Sequence, residues 1–468
     1  MAALIDIPIV GQSYHLQDWA IDCQRTLNLY PQVIESGNTQ SVSALLPTEG
    51  LVKRYEFTGA IRGLYTLPDR FLVVAGTALY VVKNGVSQQI GEISGTDLVT
   101  FADDSVQVMI VGDDAYRYKM ADSSLTKLLL TDDTGFFGAS SVTFLDSRFV
   151  WSVPDSGKIQ WSNLLSTTTT ALNYATAEAQ SDNLVRVIAS NGQLWLIGVK
   201  TTEIWNSTGS QDLPYQRTSG AYIPVGCAAK DSVSAFGSSL IWLSQTEHGN
   251  AQIVMTQGYQ VSRISNHAIE NELASYAQID DAYAFSYQRE GHSFYVISFP
   301  TAQKTWVYDA ATQMWHERSF YNTETFSHEH HRANSHCFFD GEHLVGDRAN
   351  GLVYRLCPNC QTDNGSLIMR ERVTPCLNPP GQRLVFDEVE IIAQVGQDEN
   401  AKPLIMLDWS DDKGRTWSND RQENLGGIGE YKKRLIFRRL GQSFNRVFRV
   451  RMTDAARLIL LGAKAKVR

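Results

Sequence analysis

The chain lacks most of the signals that would advertise chemistry. There is no glycine-rich phosphate loop after a strand, no Gly-x-Ser-x-Gly and no His-Glu-x-x-His. Nothing pairs a nucleophile with a base, so no catalytic site and no cofactor are expected. No uninterrupted apolar run approaches about 18 residues, and no membrane span is expected. Met1–Gly11 carries Asp6 and no basic stretch, so it does not read as a signal peptide. The six cysteines are therefore expected as thiols in a reducing cytoplasm. Charged residues are only 19% of the chain against 43% hydrophobic, which excludes disorder and suits a packed soluble protein. Helical periodicity is scarce as well. Its best stretch is Asn266–Ala277, with Ser265 as cap and Ile269, Leu273 and Tyr276 on one face.

What is present is a two-strand unit that returns, each copy closing on an aromatic residue and a turn. The copies are Phe71–Gly76 with Leu79–Val82, Val106–Gly112 with Tyr116–Tyr118, Arg148–Ser152 with Ile159–Ser162 and Gln193–Val199 with Thr202–Asn206. Leu240–Ser244 with Ile253–Met255, Phe294–Phe299 with Thr305–Asp309 and the short Leu344–Gly346 with Gly351–Arg355 complete the series. A return every ~35–55 residues is the spacing of a radial β array. One unit cannot bury its own faces, so stacking around an axis supplies the core. The expected fold is all-β: a β-propeller of seven blades (six if the last unit finds no further strand) over residues 61–356.

Residues 1–60 lack the repeat and read as an extended arm lying across the propeller or a neighbour. Residues 357–383 read as a linker. From 384 to 468 longer alternating strands (Leu384–Val395, Lys402–Asp408, Arg434–Leu440, Arg446–Thr453, Leu458–Val467) predict a C-terminal β-sandwich or jelly-roll-like domain. Charge divides along the same line. Residues 371–468 hold 18 Lys and Arg against 13 Asp and Glu, while the rest holds 23 against 37. An acidic body with a basic tail domain argues against nucleic-acid binding and for subunits packing on one another.

Four constellations invite a functional reading. Ser410-Asp411-Asp412-Lys413-Gly414-Arg415-Thr416-Trp417 fits the Asp-box Ser-x-Asp-x-Gly-x-Thr-Trp, a hairpin in which Asp412 accepts backbone N–H groups and Trp417 packs beneath. The box is familiar from sialidases, so a carbohydrate-active or carbohydrate-binding propeller is the alternative reading. A sialidase also needs convergent arginines and a tyrosine paired with a carboxylate, and no recurring blade position supplies them. The box is therefore read as a structural turn. Cys357-Pro358-Asn359-Cys360 resembles half a zinc site, but no second close pair exists, so reduced thiols in a proline turn are expected. His328-Glu329-His330-His331 reads as a solvated loop. The pairs Asp103-Asp104, Asp113-Asp114, Asp132-Asp133 and Asp280-Asp281 read as turn formers.

Order and spacing of several segments resemble the packaged-DNA-stabilisation, or tail-hub, proteins of short-tailed bacteriophages. Leu27-Asn28-Leu29-Tyr30-Pro31 and Leu46-Pro47-Thr48-Glu49-Gly50-Leu51 are similar to that family's opening, although Thr48-Glu49-Gly50 stands where Pro-Gly is usual. Glu247–Val254, Gly258-Tyr259 and Arg263–Glu270 resemble a mid-propeller blade. Val307-Tyr308-Asp309 with Met314-Trp315 resembles its strand–turn–Trp. Trp409–Asp412, Thr416-Trp417, Gly429-Glu430-Tyr431 and Arg438–Gly441 resemble its C-terminal domain. The resemblance implies a virion tail protein, made in the host cytoplasm, that closes a homo-hexameric ring beneath the portal and its adaptor. Such a ring extends the DNA channel without binding sequence and docks a needle or plug and tailspikes or fibres. Candidate interface residues are Asn28, Tyr30 and Pro31 in the arm and Lys432, Lys433, Arg434, Arg438 and Arg439 in the basic segment. Deleting residues 1–40 is then expected to spare the propeller and abolish assembly.

Overall fold

The structure, a computed structural model, describes residues 3–16, 22–34, 43–129, 135–177, 182–246, 249–377, 381–397 and 402–468. Six four-stranded antiparallel blades follow one another along the chain. The first is Ile61–Leu67, Arg70–Ala75, Ala78–Lys83 and Val86–Glu92; the sixth is Tyr283–Arg289, His292–Phe299, Lys304–Asp309 and Met314–Arg318. The repeat in the sequence marks the second and third strands of each blade. Strands such as Gln107–Val111 and Arg148–Ser152 are buried along their whole length because a neighbouring blade covers each face. The outermost strands, for example Val86–Glu92, are largely exposed and carry no apolar signal. Asn84-Gly85 and Asn191-Gly192 form tight hairpins in which both residues have positive φ, from 51° to 75°.

Neighbouring blades are stitched near the axis. The Val99 N–H donates to Arg62 O (3.0 Å), the Val142 N–H to Thr100 Oγ1 (3.3 Å) and the Val187 N–H to Ser141 Oγ (2.9 Å). After the sixth blade come three more strands, Ala333–Phe339, Glu342–Asp347 and Leu352–Cys357. Their open edge pairs with Gly50–Glu56 from the opening segment, Leu356 opposite Leu51. On the other side, Asn334 Nδ2 donates to Ile61 O of the first blade (2.5 Å). The short last repeat thus takes its fourth strand from the beginning of the chain.

The C-terminal domain is a two-sheet sandwich. One sheet runs Leu29–Val33, Ser43–Pro47, Leu460–Val467, Leu384–Ala393 and Leu435–Arg438, with Ala3–Ile7 added beside Leu460–Val467. The other contains Arg370–Val373, Val447–Met452, Leu404–Ser410 and Arg421–Asn424. Between them lies one core that includes Leu29, Leu45, Phe386, Leu407, Phe448 and Leu458.

Three expectations change. Residues 1–60 are more than an extended arm lying across the propeller or a neighbour: their described strands are members of both sandwich sheets and of the sheet formed by residues 333–357. Residues 357–383 are not simply a linker, because Arg370–Val373 is an internal sandwich strand. The helix spans His267–Ser275, and Asn266 rather than Ser265 caps it by accepting the Ile269 N–H. Ser265 instead donates to Glu270 Oε1 (2.7 Å).

These placements reverse the expectation for truncation. Removing residues 1–40 takes away fully buried Leu27 and Leu29 and strands of both sandwich sheets. The truncated chain is expected to lose its cooperative thermal transition by circular dichroism. A transition within about 2 °C of the intact chain would contradict the placement, since losing a single kcal/mol already shifts a domain by about 2–4 °C.

Candidate functional site

The strand Cys23–Leu27 is where the two domains become one sheet. Leu27 pairs in parallel with Glu317 of the sixth blade, and Arg25–Leu27 pairs antiparallel with Glu371–Val373 of the sandwich. Along this seam the side chains are ionic. Arg25 grips Glu317 with two hydrogen bonds, Nε to Oε2 (2.7 Å) and Nη2 to Oε1 (2.8 Å), and reaches Glu371 Oε1 with Nη1 (3.2 Å). Lys304 also donates to Glu317 Oε1 (2.9 Å). Arg449 and Arg451 continue the chain of charges on Asp408, at 2.5 and 2.9 Å. Burial favours the neutral acid at Glu317, but Arg25 and Lys304 outweigh it and hold the carboxyl below the ordinary range. A cavity of about 300 Å³ opens beside these groups, lined also by Trp306 and Trp417.

Buried Arg372 adds a second clasp. It donates to Ile9 O (2.7 Å), Gln12 O (3.0 Å), Thr26 Oγ1 (2.9 Å) and Gln24 Oε1 (2.7 Å), so one guanidinium holds the whole opening segment. Asn28 is a third. Its φ of 52° turns the chain, its Nδ2 donates to Ser319 O (3.1 Å) and Met369 O (2.8 Å), and its Oδ1 accepts the Ser319 N–H (2.9 Å).

The sequence-derived candidates therefore separate. Asn28, Tyr30 and Pro31 are buried inside the chain, so they bind its own domains and present no surface to a partner. Tyr30 packs edge-on against Phe294 and His292. Lys432, Arg434, Arg438 and Arg439 are exposed on one edge of the sandwich and Lys433 half-buried beside them. Arg434 pairs with Glu390 and Arg438 with Glu388, while Lys433 hydrogen-bonds Asn424.

Residues 5–361 match the family model described as bacteriophage P22 Gp10, beta-propeller, and residues 369–468 the model described as bacteriophage P22 Gp10, beta-sandwich. The chain belongs to this phage family. Its members are structural tail-hub proteins that stabilise packaged DNA, which bears out the resemblance read from the sequence. No curated protein matches the chain. Among solved structures it is similar to the WD40 β-propeller domain of Doa1, at 12% identity over 66% of this chain and 95% of that one, with a TM-score of 0.39. BamB from Moraxella catarrhalis matches at 8% identity over 76% and 100% of the two chains, with a TM-score of 0.38. Scores this low carry no argument.

Within this phage family fold, the remaining constellations have defined places. In the Asp-box turn, Ser410 Oγ accepts the Gly414 N–H (2.7 Å), and Asp412 accepts the Thr416 hydroxyl (2.6 Å) and N–H (2.8 Å). Those Thr416 bonds and one from Ser410 hold the Asp412 carboxyl down at about 2. Trp417 lies under the Arg449 guanidinium, 4.0 Å from ring to carbon. Cys357 and Cys360 are joined as a disulfide, which corrects the expectation of reduced thiols and leaves neither sulfur free for zinc. Among the described residues, no group of three or more His, Cys, Asp or Glu could hold a metal ion. No helix of the described residues is long and apolar enough to cross a membrane. Asp132-Asp133 and Glu247-His248 lie outside the described residues.

The histidine run is not a solvated loop: His330 and His331 are almost fully buried. Nearby, His336 and His343 stack on each other with nitrogens 3.0 Å apart. Burial pushes His330, His331 and His336 down to about 3, so all are neutral in the folded chain.

The axial cavity, about 350 Å³, is lined by Arg62, Arg186 and Asp231 among apolar and hydroxyl groups. Arg62 is committed to the carbonyls of Gly76, Ile93, Ser94 and Asp97, and Arg186 faces Asp231 at 3.6 Å. Tyr65 does donate to Asp103 (2.5 Å), but burial raises its hydroxyl pKa, the reverse of what a nucleophile needs. The geometry gives the carbohydrate reading no support.

Sequence reasoning missed the seam because its partners stand far apart in the chain, Arg25 and Glu317 by 292 positions. The available signal was Arg449 and Arg451 inside the otherwise apolar strand Val447–Met452, and the alternating charges Arg370-Glu371-Arg372 beside Val373.

Two measurements test this site. Glu317→Ala removes the buried carboxylate that Arg25 and Lys304 share, leaving Arg25 with Glu371 alone, and is expected to cost about 3–5 kcal/mol in denaturant unfolding. An unchanged midpoint would contradict the seam. The histidines set a pH dependence: the unfolded chain takes up protons at about pH 6.5, whereas the folded one resists until about 3. Stability is therefore expected to fall as pH drops from 6.5 toward 5, before carboxylates titrate. A flat urea midpoint across that window would contradict the buried neutral imidazoles.

Proposed function

We propose that the chain is one subunit of a homo-hexameric tail hub that closes a ring beneath the portal and its adaptor. The observation that carries this reading is the pair of family matches, propeller then sandwich, in order over nearly the whole chain. The ring extends the DNA ejection channel, keeps packaged DNA in place and docks the needle or plug and the tailspikes or fibres. In this reading the strands at 333–357, completed by Gly50–Glu56, act as a seventh blade. Supporting that count, this sheet touches the first blade through Asn334 and Ile61 and the sixth through the His331 N–H on Thr305 Oγ1 (2.9 Å).

Rigid β modules suit a part that bears load and performs no chemistry. The Asp-box residues Ser410, Asp412, Gly414, Thr416 and Trp417 serve here as a structural turn behind the seam. The acidic body suits a channel wall that repels phosphate, because lysines and arginines along it would grip DNA in a salt-dependent way. Lys432, Lys433, Arg434, Arg438 and Arg439 belong to a contact surface between proteins.

The test is negative-stain imaging of purified protein mixed with its portal–adaptor complex. Six-fold density capping the adaptor is expected. Protein that stays monomeric and unbound while the connector is intact would overturn the reading.

A further inference from the structure

Two surfaces, one on the propeller and one on the sandwich, have complementary character. The first is the outer edge of the second and third blades. Val106, Phe137, Leu164, Leu165, Leu172 and Tyr174 are all exposed there, Leu172 by 84% and Leu165 by 66%. They form one patch. Gln107 Nε2 reaches Leu165 O (3.5 Å), Arg117 reaches Thr167 Oγ1 (3.4 Å), and Phe137 meets Tyr174 edge-on with centroids 5.9 Å apart. The Leu165 N–H is pinned to Ser147 O (2.9 Å), with Leu165 at a φ of 49°. A large aliphatic residue held outward in the left-handed region runs against both local preference and burial. The region around the patch is acidic: the described residues between 97 and 182 hold 9 Asp and Glu against 5 Lys and Arg.

The second surface is the edge of the sandwich. Ile428, Tyr431 and Phe444 are 54%, 61% and 54% exposed. Around them residues 421–439 carry 6 Lys and Arg against 2 Asp and Glu, with Arg434 and Arg438 paired to Glu390 and Glu388. Leu435–Arg438 ends its sheet there, paired only with Leu384–Ala393 among the described strands. The sandwich joins the propeller at the sixth blade, and the third blade lies across the propeller from that junction.

We propose that these surfaces bind each other between copies: the basic, aromatic sandwich edge of one subunit seats on the acidic, leucine-rich edge of blades two and three of the next. The occupant of each surface is a second copy of this chain. Charge and apolar character match across the contact, and each surface leaves the other free on the same molecule. Such a heterologous contact propagates head to tail and closes when the rotation per subunit divides the circle. The assignment rests on the ring reading above and names its contact.

The test uses the full chain in two variants, Leu165→Asp/Leu172→Asp on the propeller and Tyr431→Asp/Phe444→Asp on the sandwich. All four positions are exposed, so thermal transitions matching the unaltered chain are expected. Lys432→Glu/Arg438→Glu provides a second, purely electrostatic sandwich variant. Each variant alone is expected to lose closed rings on the portal–adaptor, with association at least tenfold weaker in sedimentation. An equimolar mixture of the propeller and sandwich variants keeps one intact contact per pair, so dimers without rings are expected. Rings formed by either double-aspartate variant would overturn the surface assignment and leave the hub reading standing. Absence of rings with the unaltered chain would overturn the hub reading, and this assignment with it.

Discussion

Everything beyond the individual blades depends on one five-residue strand. Cys23–Leu27 lies between the last strand of the sixth blade and Arg370–Val373 of the sandwich, so the propeller and the C-terminal domain share a continuous sheet. Domains within one chain usually meet across modest, fairly polar surfaces and move relative to each other. Here backbone hydrogen bonds cross the boundary, and a hinge would have to break them. The ionic groups along the seam also set the register. Slipping the strand by one residue would turn Arg25 away from Glu317 and Leu27 away from its core, because side chains alternate faces. Buried ion pairs of this kind contribute little net stability, but they strongly penalise any arrangement that separates them.

The same opening segment finishes both domains. Gly50–Glu56 gives the last propeller sheet its fourth strand, and Leu29–Val33 with Ser43–Pro47 completes a sandwich sheet. Residues at the two ends of the chain thus close on each other: Ala3–Ile7 pairs with Ala463–Val467. Closure by the first strands covers the edge of Leu352–Cys357 that would otherwise lie open, and open edges are the usual liability of all-β proteins. The physical consequence is that the sandwich and the propeller are tied by paired strands rather than by a loose linker.

Much of this architecture was legible in the residues. The all-buried second strands, with their runs of Val, Ile, Leu and Trp, announced the blades, and strict alternation in Leu384–Ala393 announced the sandwich. What could not be read was how the opening segment is used. Leu27–Pro31 carries a proline and an Asn that suggest turns, and only long-range pairing shows two strands joined by Asn28 at positive φ. His330 and His331 misled for a related reason. Local polarity suggested solvent, yet Tyr283 of the sixth blade packs edge-on against His330, and Arg318 of the same blade lies close enough to His331 to disfavour its protonation. Cys357 and Cys360 were weighed by compartment, whereas the turn that joins their sulfurs is a matter of local geometry.

Native-state hydrogen exchange on the full chain tests most directly whether the strand at 23–27 unites the two domains. The amides of Arg25, Leu27 and Arg372 are expected to exchange as slowly as those of the buried blade strand His292–Phe299 and the sandwich strand Val447–Met452, opening only when the molecule unfolds. Fast exchange at 23–27 and 370–373, with both domain cores still protected, would contradict the account, because it would mean the propeller and the sandwich move independently about a seam that opens.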